Sequence, residues 1–174
     1  MTITLRTPET RDLSRLRTVL CDWQCDGLPL QLHPGDLGWF ALRGDESTAG
    51  AVRVWTQGDD VAAIALLDGS QLLRFAFDPE RMQDADLAER IGADVDDPAA
   101  GVLESGEALV EARGATALGG ALQARGWQPD EPWTPLHRDL RGPVDVEGLR
   151  IRTVEPAESE DWVRVHWSAF RGGA

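Results

Sequence analysis

Apolar positions recur at helical spacing along some stretches of the chain and at every second residue along others, and the switch between the two periods predicts an alternation of strands and helices. Thr2–Thr7 reads as a strand, and Leu13, Leu16 and Leu20, at i, i+3 and i+7, predict a helix with Thr10 as its N-cap. The segment holding Pro29 and Pro34 is left without an assignment. Gly38–Leu42 reads as a strand, Gly44–Thr48 as a turn, and Ala51–Thr56 as a strand with alternating faces, closed by the turn Gly58-Asp59-Asp60. Val61–Leu67 and Leu72–Phe77 are two further strands joined at Asp68-Gly69, a dipeptide suited to a tight hairpin. Asp78-Pro79-Glu80 ends that run, Asp86–Ile91 predicts a helix, and acidic Gly92–Gly106 reads as an exposed loop or a short irregular helix.

The stretch that follows is the most regular in the chain. Ala108–Arg113 is a strand, Thr116–Arg125 a short helix with Leu118 and Leu122 at i, i+4, and Trp133–Leu140 a strand. Gly126 supplies the left-handed residue that stops the helix. Near the end, Leu149-Arg-Ile-Arg-Thr-Val-Glu-Pro156 echoes Thr2-Ile-Thr-Leu-Arg-Thr-Pro8, and Trp162, Val165 and Ala169 repeat the spacing of Leu13, Leu16 and Leu20. A lone strand and helix cannot bury their own apolar face, so Trp162, Trp167 and Phe170 need cover from elsewhere.

Charge narrows the partners. With 30 acidic against 17 basic residues the net charge is −13, which opposes contact with a phosphate backbone and excludes nucleic acid. All the basic residues are arginine, and tyrosine is absent. No apolar run approaches the roughly 18 residues of a membrane span, and the first residues lack the layout of a secretory leader, so a cytoplasmic location is expected. Cys21 and Cys25 stand at i, i+4 without further ligands at metal spacing, and read as reduced thiols packed on one helix face. Trp39 and Trp55, at apolar strand positions, are expected in the core, with Trp127 and Trp133 covering the sheet edge.

The close of the short helix, Leu122-Gln-Ala-Arg-Gly-Trp127 followed by an apolar strand, resembles the Leu-x-x-x-Gly-Phe close of the Gcn5-related N-acetyltransferases, the GNAT family. The element order over residues 2–142 is similar to that family's. The resemblance implies an α+β fold with a mixed, mostly antiparallel central sheet flanked by helices. It divides the chain into a GNAT-like domain over 1–142 and the first strand and helix of a second repeat over 149–174, as in a tandem-GNAT protein. The implied activity is transfer of acetyl from acetyl-CoA to an amine of a small molecule.

In that family the strand before the cofactor helix offers backbone hydrogen bonds to the pantetheine arm, and the following loop seats the pyrophosphate on a helix N-terminus. The corresponding positions here are Phe75, Ala76 and Phe77, with Arg81 and Gln83 as the donors in the loop. The family's Arg/Gln-x-x-Gly-x-Gly/Ala pattern is missing: the loop has no glycine, and Asp78, Glu80, Asp84 and Asp86 put anions where phosphates would sit. Glu111-Ala-Arg113-Gly114 through Gly119-Gly120 also links a strand to a helix, and its glycines read as packing residues. Acetyl transfer further needs a base and an acid, the latter often a tyrosine, and Glu111 and His137 are the nearest candidates. These departures predict weak or absent catalysis in this half. The alternatives are a non-catalytic structural or regulatory module beside an active copy, and an α+β interaction domain that self-associates through its C-terminal tail.

Overall fold

The computed structural model describes residues 2–131, 136, 138–139, 141–142, 148 and 150–171. They fall into two compact units, residues 1–135 and 136–174. The first unit is an α+β fold built on a five-stranded open sheet in the order β1-β2-β3-β4-β5. Its strands are β1 (Ile3–Arg6), β2 (Val52–Gln57), β3 (Asp60–Leu67), β4 (Leu72–Phe77) and β5 (Leu109–Glu111). Neighbours are antiparallel from β1 to β4, and β4 and β5 run parallel. The helices are α1 (Leu13–Asp22), α2 (Pro34–Phe40), α3 (Asp45–Ala51), α4 (Ala85–Asp96) and α5 (Thr116–Gln123).

Alternation along the strands divides the core in two. Leu73, Phe75 and Phe77 of β4 join Trp55, Ala63 and Ala65 beneath Leu87, Ile91 and Val95 of α4 and Leu118 and Leu122 of α5. Val52, Val54, Ile64, Leu66 and Ala76 face the opposite way, against Leu16 and Leu20 of α1 and Leu37 and Phe40 of α2. On the first face Trp55, Phe75 and Phe77 form an aromatic row with centroid spacings of 5.4 Å. The Trp55 indole N–H donates to Asp94 Oδ2 at 2.9 Å, and Asp94 also accepts from Arg90 at 2.8 Å. A buried carboxylate is tolerable with such partners.

Four local expectations are corrected. Gly38–Leu42 is not a strand but lies in α2 and the 3-10 turn Ala41–Arg43 behind it. Pro34 occupies the first turn of α2, the imidazole Nδ1 of His33 accepts from the Gly35 N–H at 2.9 Å, and Asp36 accepts from the His33 N–H at 2.8 Å. The run therefore buries Leu37 and Phe40 at i, i+3 and leaves Trp39 74% exposed, so Trp39 is no core residue. Gly44–Thr48 is not a turn but the start of α3, with Asp45 and Glu46 at its dipole-positive end. The helix assigned to Asp86–Ile91 continues to Asp96, because Val95 prolongs the stripe of Leu87 and Ile91 and Gly92 lets α5 approach, a Cβ there lying 3.4 Å from that of Ala121. Lastly, Thr10 is not the cap of α1: it belongs to a 3-10 turn that starts behind Glu9, and Asp12 holds the N-cap position of α1.

The glycine turns hold in place, and the packing expected of the two cysteines does not. The hairpin turns at Gly58 and Gly69 and the helix stop at Gly126 all have positive φ. α1 ends before Cys25, and Cys21 and Cys25 are exposed free thiols rather than packed side chains. Trp127 packs partly buried on the first core face and donates to Asp96 Oδ1 at 3.2 Å. The strand expected at Trp133–Leu140, with Trp133 itself, lies for the most part outside the described residues. No helix among the described residues is long and apolar enough to cross a membrane.

In the second unit, residues 150–155 form no strand, so the echo of the N-terminal strand is not matched there. The helical half of the echo is present as α6 (Ser159–Arg171), where Trp162, His166 and Phe170 stack in succession at 5.0 and 4.7 Å.

Candidate functional site

The parallel pair of strands is where the sheet opens. β5 pairs with β4 only from Leu72↔Leu109 to Arg74↔Glu111, so Phe75–Phe77 continue without a β5 partner. Hydrogen bonding to β3 alternates along β4: Asp68 N–H donates to Leu72 and Asp78 N–H to Ala62, which turns the backbone groups of Leu73, Phe75 and Phe77 toward the β5 side. Of Phe75, Ala76 and Phe77, which the resemblance assigns to a pantetheine arm, Phe75 and Phe77 thus present backbone groups on that side, whereas those of Ala76 face Ile64 of β3.

The chain's own segment between α1 and α2 meets them. Leu32 N–H donates to the Phe75 carbonyl at 3.0 Å, and Phe77 N–H donates to the side-chain oxygen of Gln31 at 2.7 Å. Gln31 and Leu32 are buried, 6% and 2% exposed. Two residues earlier Pro29 presses on the loop after β5. Gly114, with φ of +79°, faces it so closely that a Cβ would stand 2.5 Å from Pro29 Cγ and 3.2 Å from Met82 Sδ. Gly114 is thus a packing glycine, whereas Gly119 and Gly120 look onto open space.

The loop between β4 and α4 is likewise engaged. The Gln83 amide donates to the Gly114 carbonyl at 2.6 Å, and its oxygen accepts from the Thr116 hydroxyl at 2.7 Å and the Ala117 N–H at 3.2 Å. It caps α5, which has no side-chain cap of its own. Arg81 bonds the Gln57 side chain and lies 3.7 Å from Asp78 and 4.0 Å from Asp60. At the N-terminus of α4 the Asp84 carboxylate accepts from the N–H groups of Asp86 and Leu87 at 2.9 and 3.1 Å. A carboxylate of the chain itself thus occupies these first-turn donors at the positive end of α4.

Beside the cleft an ionic cluster ties four elements together. Arg74 on β4 pairs with Asp36 of α2 at 3.1 Å, Glu111 of β5 at 3.4 Å and Asp68 of the β3–β4 turn at 3.6 Å. Burial works against the Arg74 charge, but Asp36, Glu111 and Asp68 outweigh it and raise its pKa above the ordinary arginine value. Glu111 also receives Arg113 at 2.6 Å, so both of its oxygens face guanidinium groups. A concavity of 750 Å³ opens here, lined by Leu30, Arg74, Glu111, Arg113, Asp130 and Glu131 among others.

Of the residues singled out from sequence, Glu111 lines the concavity, Gln83 bonds Gly114 on its rim, Arg81 bonds Gln57 on β2, and His137 lies outside the described residues. Phe75, Ala76 and Phe77 are buried in the core, so only the backbone of Phe75 and Phe77 faces the β5 side. The described residues hold no group of three or more His, Cys, Asp or Glu arranged to bind a metal. Sequence reasoning missed Gln31 and Arg74. The available signal for Gln31 was a single amide set among Pro29, Leu30 and Leu32; Arg74 carried none beyond being the one charge in an apolar strand. No family model, curated protein or solved structure matches the chain.

Proposed function

We propose that this chain is a GNAT-like module that does not bind acetyl-CoA and acts as a non-catalytic structural or regulatory domain. The element order supports the scaffold: strand, helices, a three-strand meander, a helix after the fourth strand, then a parallel fifth strand leading to α5. One observation carries the rest of the reading: the Phe75 carbonyl and Phe77 N–H, the polar groups such a scaffold would offer to the arm of coenzyme A, are bonded to Leu32 and Gln31 of the same chain. The carboxylate-capped N-terminus of α4 and the paired Glu111 point the same way, removing the phosphate seat and occupying the nearest base.

The alternative is acetyl transfer from acetyl-CoA to a small-molecule amine, which the same element order favours. Thermal unfolding with and without acetyl-CoA separates the two. A ligand at 100 times its Kd adds about 2.7 kcal/mol of stability, so a binding-competent module would melt measurably higher. The non-catalytic reading requires an unchanged midpoint at millimolar acetyl-CoA. A saturable rise would restore the enzyme reading.

A further inference from the structure

We infer that the Pro29–His33 segment is a displaceable strap, closing the β4–β5 cleft as an internal ligand and leaving it as one unit. The eleven residues 23–33 between α1 and α2 contain no helix or strand. Gly27, with φ of +87° and nothing near it, gives the segment a free pivot on one side, and the Pro34 start of α2 ends it on the other. Leu28 and Leu30 are 41% and 53% exposed, so the strap is buried only through Gln31 and Leu32. Its ties to β4 are the two hydrogen bonds at Phe75 and Phe77, with Asp36 pairing to Arg74 as a latch at the α2 end. Arg74 keeps Glu111 and Asp68 when Asp36 leaves, so opening strands no buried arginine.

The strap is held by one backbone-to-backbone bond, one side-chain-to-backbone bond and the packing of Leu32 against the α1–α2 core face, with none of the repeated ladder bonds that lock β3 to its neighbours on both sides. Segments held this way open at lower free energy than the core around them. Opening uncovers one acceptor and one donor two residues apart on a strand edge, a template for an extended amide-bearing chain. The device is independent of whether acetyl-CoA is ever bound.

Residue-resolved amide hydrogen exchange on the full chain tests it, in the wild type and in Gln31→Ala and Asp36→Asn. The Leu32 and Phe77 amides are expected to exchange with one common opening rate, faster than Ile64 in β3. Removing the acceptor of a buried N–H should speed Phe77 exchange by about ten- to one-hundred-fold while Ile64 is unchanged. Asp36→Asn leaves both hydrogen bonds to β4, at Phe75 and Phe77, in place and should speed Leu32 and Phe77 together, which covers the case in which Gln31→Ala does not fold. Phe77 exchanging with Ile64 in every variant would show that the strap opens only by global unfolding. A Leu32 amide unprotected in the wild type would show that the closed contact does not exist.

Discussion

Gly114→Ala is the sharpest perturbation the structure offers, because a single methyl group enters the seam between the strap and the loop after β5. Two penalties apply. Holding an L side chain at φ of +79° costs about 1–2 kcal/mol. Forcing a Cβ to within 2.5 Å of Pro29 Cγ adds an overpacking cost of about 1–3 kcal/mol. Reduced freedom of the unfolded chain returns about 0.4–1 kcal/mol. The net expectation is a loss of about 1–4.5 kcal/mol. Urea unfolding followed by far-UV circular dichroism measures it. The Cγ clash can be isolated with Pro29→Ala: the double variant should recover most of the overpacking share, a coupling of about 1–3 kcal/mol, and leave the backbone strain with the milder contacts at the residue-29 Cβ and Met82 Sδ, 3.0 and 3.2 Å away. A Gly114→Ala chain within about 0.5 kcal/mol of wild type, or a cost that Pro29→Ala does not relieve, would refute the contact between Pro29 and Gly114.

Two further outcomes follow from other parts of the fold. Trp55→Phe removes the indole N–H from buried Asp94 and leaves a void under α4, which should cost about 2–4 kcal/mol in the same urea assay; a cost under about 1 kcal/mol would mean the bond is not made. The hydrogen bond from the Arg6 guanidinium, then that from the Glu9 N–H, holds the Asp12 carboxyl below the ordinary carboxylate range. A depressed native pKa gives stability that is present above the unfolded value of about 3.9 and lost as pH falls through the lower native one. Asp12→Asn should therefore be less stable than wild type at neutral pH and lose that deficit in acid, whereas a pH-independent difference would show that no charge is involved.

Local pattern determined most of the scaffold. The apolar runs of β3 and β4 with the glycine turns beside them, the Leu118/Leu122 stripe of α5 and the stop at Gly126 depend on neighbours a few residues away, and sequence alone placed them. Gly38–Leu42 shows the limit: five apolar residues satisfy a strand or one helical turn equally, and the choice fell to the His33, Pro34 and Asp36 cap upstream. Of the residues singled out by type, Glu111 lines the cleft beside Arg74, Phe75 and Phe77 turn backbone groups to the β5 side, and Arg81 bonds Gln57 on β2. Their condition was decided elsewhere. Gln31 reaches Phe77 across 46 positions, Thr116 hands its hydroxyl to Gln83 across 33, and Glu111 is enclosed by Arg74 from another strand. A side chain's chemical role depends on which polar groups reach it first, and over such separations only the folded chain determines that.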